Sequence, residues 1–141
     1  MFKCIVFATD GSESSRKAQE YARELTRLHG AALYVVNVYH NISDLLGYKE
    51  QDAIASHRVF QSREFVDKVI RELAAGGVEA ESEVLEGPAA EAILRVAEVR
   101  NADLIIVGAR GRGSLKGLLL GSVTHKIIQY AKCPVLVVRD E

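Results

Sequence analysis

Apolar and polar positions switch repeatedly between strand-like and helix-like periods along the chain. Lys3 to Thr9 is short, β-branched, aromatic and nearly continuous in apolar character. A run of that kind fits a strand buried on both faces, as in a parallel sheet. It stops at Asp10-Gly11-Ser12, and the period then becomes helical. Ala18, Tyr21, Ala22, Leu25 and Leu28 recur at three- and four-residue spacing and predict one apolar stripe. Ser12 is the expected N-cap and Gly30 the expected stop. A second apolar run spans Ala31 to Tyr39. The polar stretch from His40 to about Asp52 follows as a candidate flap. A helix is then predicted from about Gln51 to Ala75, with Phe65, Val69, Ile70 and Leu73 on its buried side, ended by Gly76-Gly77.

Val78 to Leu85 alternates, with Glu79, Glu81 and Glu83 on one side. Charge at every second position predicts a sheet edge with one wet face. Gly87-Pro88 opens another helix, with Pro88 at the first helical position, Ile93, Leu94 and Ala97 inside, and Asn101 as C-cap. Ala102 to Val107 is a further buried strand. A glycine-rich stretch from Gly108 to Gly121 leads to a helix over about Val123 to Ala131, and Pro134 introduces a last strand, Val135 to Val138. Strands and helices alternate throughout. Alternation of this kind predicts an α/β fold, a parallel sheet with helices on both faces joined by right-handed crossovers. Ligands of such sheets bind beyond the carboxyl ends of the strands, where strand order reverses. The candidate site loops are those after Thr9, Tyr39, Leu85 and Val107.

Composition narrows the class. The 141 residues include 18 basic and 19 acidic side chains, a formal charge of -1. The expectation is one domain over residues 1–141, with no bulk-charge signature of a nucleic-acid binder. No apolar run approaches the ~18 residues of a membrane span, and no signal-peptide pattern is present. Cys4 and Cys133 are expected to be reduced core thiols of a cytoplasmic protein.

Glycine is the unevenly spread residue. Of 11 glycines, five lie at 108, 111, 113, 117 and 121. Glycine lets the backbone approach a ligand closely. Exposed N–H groups of such a loop form an anion-binding concavity, and the helix starting near Ser122 adds the positive end of its dipole. Phosphate is the natural guest. The P-loop pattern fails, because Gly113-Ser114 lacks the lysine, and the dinucleotide pattern fails, because the first turn holds a single glycine.

Gly108, two residues, Gly111, nine residues and then Gly121-Ser122 resembles the nucleotide signature of the ATP-binding universal stress proteins. The resemblance extends through Ala8-Thr9-Asp10-Gly11-Ser12, Ala102 to Gly108 and Cys133-Pro134-Val135-Leu136-Val137-Val138, nearly the whole chain. It implies a five-stranded parallel sheet in the order 3-2-1-4-5, of the adenine-nucleotide alpha-hydrolase-like type. It implies that Ala8, Thr9 and Asp10 line the ribose and phosphate side. Val38 meets the adenine through its backbone. Gly108 and Gly111 approach the ribose and phosphates, and Gly121, Ser122 and Val123 bind the phosphates. The ligand implied is ATP, or AMP or ADP, with Mg2+ or Mn2+ bridging the phosphates near Asp10. A homodimer through Val135 to Val138 and an unidentified protein partner are implied as well.

Plainer readings stand beside these. Asp10 is equally a turn residue that caps the first helix, and Ser122 a simple N-cap. Arg110, Arg112 and Lys116 either pair with phosphate oxygens or form a solvated basic loop. His29, His40, His57 and His125 show no zinc spacing. No nucleophile elbow or general base is recognisable, so the expected function is nucleotide binding in stress signalling, with at most slow ATP hydrolysis. The alternatives are a nucleotide-independent dimeric adaptor of the same fold, or an adenylyl-transferring or electron-transfer enzyme of the wider α/β group.

Overall fold

A computed structural model describes residues 1–40, 48–111, 117 and 119–140. The elements in chain order are β1 (Cys4–Ala8), α1 (Glu13–His29), β2 (Ala32–Tyr39), α2 (Tyr48–Ala75), β3 (Glu81–Glu86), α3 (Ala89–Val99), β4 (Leu104–Gly108), α4 (Ser122–Tyr130) and β5 (Val135–Val138). The strands form one parallel sheet in the order β3-β2-β1-β4-β5. This is the predicted topology. It puts β1 and β4 side by side at the reversal of strand order, with Phe7 opposite Ile106.

β1 explains its own continuous apolar run. Ile5, Val6 and Phe7 are fully buried. Ile5 and Phe7 join Leu33, Val35, Ile106, Ala18, Ala22, Val66, Val69 and Leu73 in the layer covered by α1 and α2. Val6 and Ala8 join Val36, Ile105, Val107, Ala90, Ile93, Val96 and Ile127 in the layer covered by α3 and α4. A central strand is thus apolar on both faces because helices cover both. No helix among the described residues is long and apolar enough to cross a membrane.

Several local details differ from the sequence expectation. α1 buries Ser14, Ser15, Ala18, Ala22 and Thr26, while Tyr21 and Leu28 are 52% and 77% exposed. Small residues face the sheet because the first turn of α1 lies directly against β4. Gly30 caps α1 in the left-handed conformation, as expected, with φ 62°. α2 begins at Tyr48, three residues before the expected start. The candidate flap falls largely on residues 41–47, outside the described residues.

Pro88 is the N-cap of α3, one position before the helix, and its peptide bond to Gly87 is cis. Arg100 is the C-cap of α3, and Asn101 follows it with φ 53°. Asparagine is among the few residues that adopt that conformation readily. β3 is an edge strand, but Leu85 packs against the α3 layer, so its outer face is only part wet. Glu83 on that face is paired with Arg100 at 3.5 Å.

Cys4 and Cys133 are free, partly buried thiols. Burial first, and the negative charge of Asp103 second, pushes both above the ordinary thiol range.

Candidate functional site

A cavity of about 180 Å³ opens at the carboxyl ends of β1, β2 and β4. The reversal rule points to the same place. Its floor is apolar, from Val36, Val38, Ile93 and Val107. Its rim is backbone and hydroxyl. The first turns of three helices reach it, through Ser12 and Ser15 of α1, Ala89 of α3, and Ser122, Val123 and Thr124 of α4. Each helix start carries roughly +0.5 of an elementary charge and unpaired N–H donors. Three of them on one cavity give it a positive rim over an apolar floor.

The turn after β1 is held by a chain of hydroxyls. The Thr9 hydroxyl donates to Ser15 Oγ at 3.1 Å, and the Ser15 hydroxyl donates to the Ser12 carbonyl at 3.0 Å. The buried Asn37 side chain donates to the Thr9 carbonyl at 2.7 Å. Asp10 Oδ1 accepts from the Ser12 amide at 2.9 Å, which is the turn-and-cap arrangement expected as the plainer reading of Asp10. Asp10 also lines the cavity.

Gly108 ends β4 against α1. A Cβ there would stand 2.6 Å from the Ser15 backbone nitrogen, with Ser14 Oγ closer still. The glycine is therefore required by helix packing as well as by access to the cavity. The following turn is pinned from two sides. The Arg110 carbonyl accepts from the hydroxyls of Ser12 at 3.2 Å and Ser14 at 2.6 Å. The Gly121 amide donates to the Ala109 carbonyl at 2.8 Å, and the Thr124 hydroxyl to the Gly108 carbonyl at 2.8 Å. These bonds fix the start of α4 over the end of β4. They also make Gly121 the N-cap and Ser122 the first helical residue, one step from the expected assignment.

Arg110 lines the cavity and has a partner within the chain. Its Nη2 lies 2.9 and 3.1 Å from the two carboxylate oxygens of Asp140, just past β5. The Arg110 guanidinium is the main reason that the Asp140 carboxyl is held below the usual carboxylate range. Arg112 and Lys116, the other expected basic residues, lie outside the described residues.

All ten expected site residues, Ala8, Thr9, Asp10, Val38, Gly108, Arg110, Gly111, Gly121, Ser122 and Val123, line this one cavity. Ser15, His40, Ala89, Ile93 and Thr124 also line it and were not among the expected site residues. Ala89 follows from the rule about loops after strands, since it begins the helix after β3. Ile93 and Thr124 carry only a core pattern and gave no such signal. Among the described residues, no group of three or more His, Cys, Asp or Glu side chains is placed to hold a metal ion. Asp10 offers one carboxylate, which suits Mg2+ only where ligand phosphates supply further oxygens.

A larger hollow of about 570 Å³ lies outside β3 and α3. Its carboxylates Glu83 and Glu91 are engaged by Arg100 and Lys126.

The chain matches the sequence profile of the Universal stress protein family over residues 1–139. It belongs to that family. A universal stress protein of Thermus aquaticus is 40% identical over 141 residues, covering 99% of this chain and all of its own length. A family member of Methanocaldococcus jannaschii has a similar solved structure, with TM-score 0.85, 26% identity and coverage of 99% and 96% of the two chains. Two further family structures are ligand complexes. One universal stress protein, 24% identical with TM-score 0.72 and 99% coverage of both chains, is bound to cAMP. Another, from Archaeoglobus fulgidus, 21% identical with TM-score 0.66 and 98% coverage of both, is bound to dAMP.

Proposed function

We propose that the chain is a single-domain, cytoplasmic adenine-nucleotide binding protein of stress signalling, holding AMP, ADP or ATP in the cavity between β1 and β4. The observation that carries this reading is the convergence of three helix starts on an apolar cleft at the reversal of strand order. An apolar floor suits a purine, and the helix starts suit a phosphate. Val38 lies on the base side. Gly121, Ser122 and Val123 present N–H donors to the phosphate, and Gly108 and Gly111 let the chain approach it. The cAMP and dAMP complexes of family members support the adenine ring as the apolar part. Asp10 would be the residue to hold Mg2+ or Mn2+, which would offset phosphate charge when bound. Occupancy rather than turnover is the signal in this reading, and hydrolysis is slow if it occurs.

β5 supports a homodimer. It is an edge strand of Val135, Leu136, Val137 and Val138, mostly only partly buried. Exposed Ile128 and Tyr130 of α4 lie just before it in sequence. A second copy pairing there would cover an edge that otherwise invites aggregation.

Isothermal titration of the full chain with ATP, ADP, AMP and adenosine tests the reading. Binding of at least one phosphorylated ligand, tighter than adenosine, is expected. No heat from any of them overturns the nucleotide reading and leaves the nucleotide-independent adaptor.

A further inference from the structure

Among the described residues that line the cavity, Arg110 is the one lysine or arginine, and it is already engaged. Its main chain is fixed by Ser12 and Ser14, so only the side chain is left to choose between partners. Asp140 is itself tethered. Lys17 Nζ donates to its main-chain carbonyl at 2.6 Å, and the Ala109 amide donates to the Val138 carbonyl at 2.8 Å. Both side chains of the Arg110–Asp140 pair are only about one-fifth exposed. The pair is therefore built into the fold rather than being a chance surface contact.

We propose that Asp140 is a positioning residue that sets which phosphate chain length the site accepts, by withholding Arg110 from the ligand. This rests on the adenine-nucleotide reading of the cavity. With Arg110 neutralised, the other described residues of the lining offer a phosphate helix starts and hydroxyls. Three helix starts supply roughly +1.5 of charge, close to the -1.5 to -2 of a monophosphate. A polyphosphate carries more negative charge than these helix starts offset. Without a divalent cation the site thus favours AMP over ATP. Both contacts to Asp140 use Nη2, so a ligand phosphate competes with the carboxylate for that nitrogen and for the charge of Arg110, both being charge-assisted acceptors.

The experiment is titration of the full chain with AMP and with ATP, in EDTA, for wild type, Asp140→Asn, Asp140→Glu, Arg110→Ala and the Arg110→Ala/Asp140→Asn double variant. Circular dichroism checks that each is folded. Wild type is expected to bind AMP more tightly than ATP. Asp140→Asn should raise ATP affinity at least about fivefold while changing AMP much less, a size typical of coupled sites. Asp140→Glu should restore the wild-type ratio. In the Arg110→Ala background, Asp140→Asn should change nothing. An unchanged ATP-to-AMP ratio in Asp140→Asn overturns the proposal. So does a shift that persists without Arg110, since that is through-space charge alone. Binding of neither nucleotide to any of the five proteins overturns the nucleotide reading beneath it, a result distinct from binding with an unchanged ratio.

Discussion

Gly108 and Ser15 are packed so closely that a Cβ on the glycine would lie 2.6 Å from the serine's backbone nitrogen. The first turn of α1 could not lie where it does over any other residue. Main chain cannot rotate out of the way as a side-chain tip does. Gly108→Ala is therefore expected to cost about 1–3 kcal/mol, the range for overpacking a tight core site. Urea denaturation measures this. A variant as stable as wild type would show that α1 shifts freely, and the pinning of the turn by Ser12 and Ser14 would then carry little weight. Loss of ligand in Gly108→Ala alone would say nothing about binding, because the fold itself is damaged.

Gly111 gives the cleaner probe. A Cβ there would meet Asp10 Oδ2 at 2.6 Å, the end of a side chain rather than main chain. Asp10 must shift and strain its bond from the Ser12 amide, so Gly111→Ala should cost about 0.5–1.5 kcal/mol, the net worth of one hydrogen bond. It should still move the carboxylate on the cavity wall. The expected result is a change of about threefold or more in nucleotide affinity, roughly 0.7 kcal/mol, measured by titration beside a denaturation curve. Unchanged affinity would place the Asp10–Gly111 edge outside the bound ligand's reach.

Asn37 lies inside the apolar run of β2, where it is buried, and its side-chain amide holds the Thr9 carbonyl at 2.7 Å. That carbonyl sits where β1 opens into the cavity. Asn37→Ala leaves a carbonyl without this donor in a dry place, at a cost of about 1–3 kcal/mol. Chemical denaturation should show the loss, and nucleotide affinity should fall with it because the turn from Thr9 to Ser12 loosens. Full stability in this variant would mean that water replaces the amide.

The order of strands and the cavity wall were legible because they depend on period and on glycine. Continuous apolar runs marked the central strands, and the glycine spacing marked the loop after β4. What was not legible depends on partners distant in sequence. Arg110 reads as a phosphate ligand or a loop charge until Asp140, thirty residues on, is found beside it. Asn37 reads as an interruption of a strand until the Thr9 carbonyl is seen. Tyr21 and Leu28 fit the helical period of α1, yet the close approach of its first turn to Gly108 selects the face with Ser14 and Ser15 instead. Caps moved by one residue at Ser122 and Pro88 for a related reason, because tertiary hydrogen bonds such as that from the Gly121 amide to the Ala109 carbonyl decide where the first turn begins.

Asp103 stitches the far end of the sheet, opposite the cavity. Its carboxylate accepts from the amides of Lys3 at 2.8 Å and Cys4 at 3.2 Å, while its own amide donates to the Cys4 carbonyl at 2.9 Å. Burial pushes its carboxyl up, but the amides of Lys3 and Cys4 more than offset this, so the group lies below the usual carboxylate range. The folded state thus binds the proton less readily than the unfolded chain does. The stabilisation is fully present above the unfolded value of about 3.9 and is lost as pH falls through the lower folded value. Asp103→Asn should destabilise the protein by about 1 kcal/mol at pH 7, the size of a lost charge-assisted contribution when one acceptor oxygen remains. The gap between variant and wild type should shrink steadily as denaturation is repeated below about pH 4. A gap of constant size down to pH 2.5 would show that the carboxylate's charge contributes nothing and that shape alone holds β1 to β4 there.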